Sequence, residues 1–277
     1  NMIEKKYGII GKPLSHSQSP TLHNFWFNKY KINAHYSLLE IDESQVKGII
    51  NKIRKKELEG INVTTPYKQA VIPFLDTIIN EAKETHSVNT IYLNKDNKVI
   101  GENTDVYGFN KAFIDQIKKV DLTNKKALVL GAGGVTPSVV YCLSKANVKQ
   151  IFISNKTMQK AENIKKNFSS IDVVPWESVS DVVKNMDIII NTTSLGMKGG
   201  NDFEREFRKI KFEAIYYDVI YNPLETRMIK NFKKKESKTF NGLEMFMYQG
   251  QKSFFIWNKV QPEIDKEIEK KIISEIR

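Results

Sequence analysis

The sequence predicts an α/β protein of two domains, and three observations carry that expectation. The chain has 277 residues, and at roughly 100–200 residues per domain this suggests two. Short apolar runs alternate with helix-length amphipathic stretches, the pattern of βαβ units built on a parallel sheet. A charged, polar stretch at 115–126 divides an earlier set of elements from a later one, whose first strand runs into a glycine-rich turn.

In the first set, 7–10 reads as a strand closed by Gly11. Ser19-Pro20 predicts a helix start with Ser19 as N-cap and Pro20 in the first helical position, followed by an apolar face of Leu22, Phe25, Trp26 and Phe27. Strands are expected over 36–41 and 61–64, with a helix over 43–56 between them. The runs 89–93 and 98–100 flank Lys95-Asp96-Asn97 as a hairpin. In the second set, 127–130 is a short apolar strand, then come Gly131-Ala132-Gly133-Gly134 and a helical pattern. Further strands are expected at 150–154, 187–191 and 214–220. The chain ends in helices over 243–257 and 262–276, which can return to pack on the first domain.

Lys and Arg total 43 against 32 Asp and Glu, a formal net charge of +11. Such an excess suits nucleic acid, an anionic membrane, anionic small molecules, or no partner beyond solvent. The lysines are scattered rather than striped, which argues against a nucleic-acid groove. The single cysteine, Cys142, excludes an intrachain disulfide framework and a cysteine-based zinc site, and it falls among core-type neighbours. The four histidines, His16, His23, His35 and His86, have no metal-ligand spacing, so no metal is expected. His16 is expected to face solvent, and Trp26, Trp176 and Trp257 to serve in packing. No apolar run approaches the length of a membrane span. Asn1 ahead of Met2 reads as an added residue, and no signal-type segment follows; a cytoplasmic protein is the expectation.

The glycine turn lies between an expected strand and an expected helix, the context of a dinucleotide-binding loop, where backbone N–H groups and a helix N-terminus meet a pyrophosphate. A plain turn would have the same composition. The third small position of the fingerprint is Thr136, a departure, with Pro137 beside it in the helix's first turn. An NAD site places a carboxylate at the end of the next strand. Here that strand ends in Ser154-Asn155-Lys156-Thr157, a cation among small polar groups, which suits a 2′-phosphate and hence NADP.

Four polar clusters mark the first domain. Ser15-His16-Ser17 offers two loop hydroxyls that can either face a carboxylate or cap a helix. Asn62-Val63-Thr64-Thr65-Pro66-Tyr67-Lys68 leaves a strand for a turn. Ser87-Val88-Asn89-Thr90 precedes the hairpin and Gly101-Glu102-Asn103-Thr104-Asp105 follows it. Singly, Lys68 reads as a surface charge and Asp105 as a helix cap.

Taken together and in order, these clusters resemble the shikimate dehydrogenase family. The resemblance extends through N-K-T-M-Q-K, N-T-T-S-L-G-M, Y-D-V-I-Y-N-P and N-G-L-E-M-F-M-Y-Q-G-Q, over almost the whole chain. It implies an N-terminal α/β substrate-binding and catalytic domain (1–106, with the C-terminal helices of 245–277 returning to it). It also implies a Rossmann-like NADP-binding domain (107–244), with the active site in the cleft. The implied reaction is reversible NADPH-dependent reduction of 3-dehydroshikimate to shikimate, in aromatic amino-acid biosynthesis. By the same resemblance, Ser15 and Ser17 hold the substrate carboxylate, and Thr64, Asn89, Asp105 and Gln249 bind ring hydroxyls, with Tyr221 completing the substrate site near the cofactor. Lys68, oriented by Asp105, is the catalytic candidate; a free lysine is an ammonium at neutral pH and can donate to a developing alkoxide.

On the cofactor side, Gly131, Ala132, Gly133 and Gly134 are expected at the pyrophosphate, and Asn155, Lys156, Thr157 and Lys160 at the 2′-phosphate. Thr193, with Ser194 and Leu195, is expected near the nicotinamide, as are Ile220, Gly242 and Met245. The family usually carries arginine where Lys156 stands. Lysine lacks its planar fork, so NADP preference is expected to be weaker. The implied partners are small molecules, with no nucleic acid and no membrane, and the protein a monomer or homodimer. A quinate/shikimate dehydrogenase of broader range and a noncatalytic NADP-binding regulator are the alternatives, the intact Lys68 and Asp105 speaking against the latter.

Overall fold

The computed structural model describes residues 3–276; Asn1 and Met2, with the added-residue reading they carry, and Arg277 lie outside the described residues. The chain divides into two compact units. One takes the described residues through Gly108 together with Met247–Ile276, the other Phe109–Phe246.

The first unit is built on a six-stranded mixed sheet. Its strands are β1 (Lys5–Gly11), β2 (Ala34–Glu40), β3 (Gly60–Val63), β4 (Thr77–Ile78), β5 (Thr90–Leu93) and β6 (Val99–Glu102), in the order β2-β1-β3-β5-β6-β4. β1 runs parallel to β2 and β3, and β5 runs antiparallel to β3 and β6. One face is sealed by the helix Val46–Arg54, whose Val46, Ile49, Ile50 and Ile53 join Ile10, Ile61, Val63 and Ile91 in the core. On the other side, the helices Ser19–Lys29 and Leu243–Asn258 meet through aromatic rings: Trp26, Phe27, Phe254 and Trp257 pack with Tyr7 and Tyr36. Gly60 makes room for this, since a Cβ there would strike the Trp257 indole. The helix Lys266–Glu275 is capped by Asp265, whose carboxylate accepts from the Ile268 N–H at 3.0 Å.

Three expectations are corrected. The N-cap of the first helix is Gln18, not Ser19; Ser19 and Pro20 are the first two helical residues, and the Ser17 hydroxyl accepts from the Ser19 N–H at 3.3 Å. The stretch 43–56 is a 3₁₀ turn (Glu43–Gln45) followed by the helix Val46–Arg54, with the Asp42/Gln45 capping box bonded to the tighter turn. The polar divider at 115–126 opens in helix: Asp115–Ile117 continues the helical run of Asp105–Phe109 and Asn110–Ile114, the latter in a wider π-type turn.

The second unit is an all-parallel sheet of β7 (Lys126–Leu130), β8 (Gln150–Ser154), β9 (Asp172–Val173), β10 (Ile188–Asn191), β11 (Ile215–Asp218) and β12 (Lys238–Phe240). Its order is β12-β11-β10-β7-β8-β9. Counted from β7, that is the 3-2-1-4-5-6 order of a doubly wound nucleotide-binding sheet read from its far edge, so the strand order reverses between β7 and β10. β7 and β10 are almost wholly apolar because both faces are covered. On one face Tyr216 stacks on Phe232 of the helix Arg227–Lys234, ring centroids 4.4 Å apart. Cys142 is buried on the helix Thr136–Lys145.

Candidate active site and nucleotide loop

In the first unit the parallel register of β1 and β3 sets Ile10 opposite Val63, so the loops leaving both strands start at one sheet edge. β5 runs the other way and β6 runs back, so Asn89, just before β5, and Asp105, just beyond β6, come to the same edge. The loop after β1 is turned by Leu14: its N–H donates to Glu40 at 2.8 Å and its carbonyl accepts from the Ser17 N–H at 2.9 Å. That leaves Ser15 and His16 exposed and Ser17 half-buried. Thr64 follows β3, its N–H donating to the Ile10 carbonyl.

Four of the expected residues are joined directly. The Lys68 ammonium lies 2.6 Å from Oδ2 of Asp105, with side chains 10% and 7% exposed. The Asn89 amide nitrogen faces Oδ1 of Asp105 at 3.3 Å and Oε1 of Gln249 at 3.4 Å. Its carbonyl oxygen accepts from the Thr104 N–H at 2.7 Å, which fixes which way the amide points. Lys68 is anchored through its own carbonyl, which accepts from the Val88 N–H. The result is a cation, a carboxylate and two amides at one edge, the set needed to grip hydroxyl groups and move a proton at one of them.

In the second unit the glycine turn leaves β7 beside the end of β8, Leu130 being paired with Ser154. Gly131 sits at φ +118, where a side chain would be strained and would also run into Thr192; its N–H donates to the Ser154 carbonyl. Gly133 is exposed, and a Cβ there would meet nothing. Thr136, the departure from the fingerprint, is buried, with its hydroxyl 2.8 Å from that of Thr192. Thr192 in turn donates to the Leu130 carbonyl, tying β10 to β7 where the strand order reverses. Lys156, Thr157 and Lys160 are exposed, while Asn155 is half-buried and bonds the Thr157 carbonyl. At the end of β10, Thr193 donates to Asn191 and accepts from Leu195 N–H. Ile220 and Gly242 are linked by the Gly242 N–H to Ile220 carbonyl bond, and Met245 is buried. Tyr221 stacks on Phe246 at 4.7 Å.

Beneath these lies buried polarity to which the sequence assigned no role. Asp218 is fully buried and accepts from Tyr216, Thr226, Asn191 and the Ile220 N–H; burial raises its carboxyl to about 6. Thr90, Thr104 and Ser253 form a buried hydroxyl cluster against Asn89. Thr90 and Thr104 belong to the polar clusters noted in the sequence, whereas Ser253, on the helix face it shares with Gln249, carried no signal of its own.

Two family models match: the shikimate dehydrogenase substrate binding domain over residues 9–91, and shikimate / quinate 5-dehydrogenase over residues 114–197. The chain is 46% identical over 265 residues to the shikimate dehydrogenase (NADP(+)) of Pelagibacter ubique (strain HTCC1062), covering 96% of this chain and 97% of that protein. It belongs to the shikimate dehydrogenase family. Among solved structures, the shikimate dehydrogenase of Aquifex aeolicus superposes with a TM-score of 0.86 at 34% identity, covering 98% of this chain and 99% of that one. The Thermus thermophilus shikimate 5-dehydrogenase, in complex with NADP(H) and shikimate, gives 0.84 at 26%, over 99% and 100%. As a member of the shikimate dehydrogenase family, the chain carries each of the two matched regions largely in its own compact unit.

Proposed function

We propose that this protein is an NADP-dependent shikimate dehydrogenase, catalysing the reversible NADPH-dependent reduction of 3-dehydroshikimate to shikimate. The observation that carries the reading is the Lys68–Asp105 pair, bonded through Asn89 to Gln249 at one sheet edge. The relatives' names point the same way, the Pelagibacter protein being a shikimate dehydrogenase (NADP(+)).

The second unit's residues fit a phosphorylated dinucleotide. Gly131 and Gly133 leave the backbone of the turn open to close approach, and the helix Thr136–Lys145 starts beside them. Lys156, Thr157 and Lys160 present a cation pair and a hydroxyl at the end of β8, with Asn155 bracing the turn. Thr193, Ile220, Gly242 and Met245 would flank the nicotinamide. When bound, the cofactor supplies the hydride.

The substrate steps then fall to the first unit. Ser15 and Ser17 hold the carboxylate, and Thr64, Asn89 and Gln249 bind the hydroxyls; Tyr221, the remaining substrate candidate, belongs to the second unit. Lys68 gives its proton to the oxygen of the carbonyl being reduced, and in the reverse direction takes it from the hydroxyl. Asp105 keeps the Lys68 Nζ at that oxygen and accepts from the neighbouring hydroxyl. Among the described residues no helix is long and apolar enough to cross a membrane, and we place the protein in the cytoplasm, acting on small molecules rather than nucleic acid.

The test follows the near-ultraviolet absorbance of reduced cofactor with shikimate or quinate paired with NADP⁺ or NAD⁺. The expected result is fastest turnover with shikimate and NADP⁺; no turnover with any pair overturns the reading. The NAD⁺ arms carry weight because Lys156 is a point charge rather than a bidentate fork.

A further inference from the structure

Ser253 lies on the helix Leu243–Asn258, one turn beyond Gln249 and on the same face. It is fully buried. For packing alone alanine would serve better there, with its higher helix propensity and no hydroxyl to satisfy. Yet the Ser253 hydroxyl is where four groups converge. The Asn62 amide donates to it at 3.0 Å, the Thr90 and Thr104 hydroxyls lie 2.8 and 3.1 Å away, and it reaches the Gln249 carbonyl at 3.2 Å.

Three of those partners continue to Asn89. Thr90 donates to the Asn89 side-chain oxygen at 3.0 Å, the Asn89 amide donates to Thr104 at 2.8 Å, and Asn62 donates to the Asn89 carbonyl at 3.0 Å. Asn89 then faces Asp105 and Gln249. The network is closed: the helix that carries Gln249 is fastened, through one hydroxyl, to the residues that orient Asn89.

We propose that Ser253 is a positioning residue for substrate binding, holding Gln249 in register with Asn89. The proposal rests on the shikimate reading above. Without the hydroxyl, this turn of the helix loses its polar tie to Thr90 and Thr104, and Gln249 loses its alignment with Asn89. The cofactor-binding residues belong to the other unit and do not enter this network.

The test is steady-state kinetics of Ser253→Ala in the full chain. Its KM for shikimate is expected to rise about tenfold, the scale of one displaced hydrogen bond, while its KM for NADP⁺ stays within twofold. In a Gln249→Ala background the same substitution is expected to change shikimate KM less than twofold, because the residue it acts through is gone. If Ser253→Ala does not fold, Thr90→Val removes a hydroxyl from the same cluster at constant shape. It is expected to raise shikimate KM, with Thr90→Ser restoring it. An unchanged shikimate KM, an equal rise for both ligands, or an undiminished effect in the Gln249→Ala background overturns the proposal. Turnover in the unaltered protein separates these outcomes from failure of the functional reading, which would take this proposal with it.

Discussion

The Nζ of Lys68 lies 2.6 Å from Oδ2 of Asp105, and the other oxygen of that carboxylate faces the Asn89 amide at 3.3 Å. Both side chains are close to fully buried, so the pair is held by geometry that bulk water does little to screen. If Lys68 moves the proton, Lys68→Ala lowers kcat by about 10²–10⁴-fold, the range of general acid–base catalysis, with shikimate KM little changed. A loss smaller than about tenfold, under ~1.4 kcal/mol of barrier, would remove Lys68 from that role.

His23 predicts acid sensitivity in the first unit. Its ring stacks on Tyr36 with centroids 4.5 Å apart, and it is enclosed by Trp26, Phe254 and Trp257. Neither ring nitrogen has a hydrogen-bond partner among the described residues, and burial lowers the imidazole to about 3. The folded pKa is depressed below the unfolded 6.5, so the unfolded state binds the extra proton. This contribution to stability is full above pH 6.5 and falls as pH drops toward 3. At pH 5 the loss amounts to about 2 kcal/mol. Denaturant unfolding of His23→Leu should show a correspondingly flatter pH dependence between 7 and 5; parallel curves would count against it.

Asp218 carries the opposite sign. Its folded pKa is raised from 3.8 to about 6, so between those values the folded state binds more protons than the unfolded. Stability from this group is therefore greatest below pH 4, declines as pH rises, and levels off above 6, a change on the order of 3 kcal/mol. The difference in unfolding free energy between the unaltered protein and Asp218→Asn should shrink from pH 4 to pH 7. A constant difference would mean that the four donors around the carboxylate cancel its desolvation.

Lys156 is exposed at the end of β8, beside the glycine turn. If it meets the 2′-phosphate, Lys156→Ala raises KM for NADP⁺ about five- to tenfold, consistent with loss of one charge-assisted bond, and leaves KM for NAD⁺ within twofold. The NADP⁺ effect should also shrink at high salt. Equal changes for both cofactors would place Lys156 elsewhere.

The strands were legible because they are short apolar runs, and the candidate site because its polar residues cluster in compact motifs at strand ends, as with Asn89 before β5 and Asp105 after β6. What hid the rest is adjacency in space. Ser253 and Thr90 are 163 positions apart, and nothing in a single sequence pairs a helix serine with a strand threonine. The helical segments from Asp105 to Ile117 do carry an apolar period in Val106, Phe109, Phe113 and Ile117, but Gly108 weakens the local helix signal. The Ser19 cap failed for a local reason: Ser17 already supplies the oxygen that Ser19's N–H needs. Asp218 could be read as one more strand residue, since the hydroxyl groups that justify burying it come from Tyr216 and from Thr226 beyond the strand.

The unit holding Lys68 is closed by Met247–Ile276, whereas Phe109–Phe246 is one uninterrupted stretch. During synthesis the continuous unit can therefore complete itself while the earlier one waits for Met247–Ile276 to be made. Until then Trp26, Tyr36 and the face of β3 at Gly60 lack the Phe254 and Trp257 rings that cover them. A chain stopped after 246 therefore leaves that apolar surface uncovered and is expected to aggregate through its amino-terminal half, even though the dinucleotide-type sheet has formed.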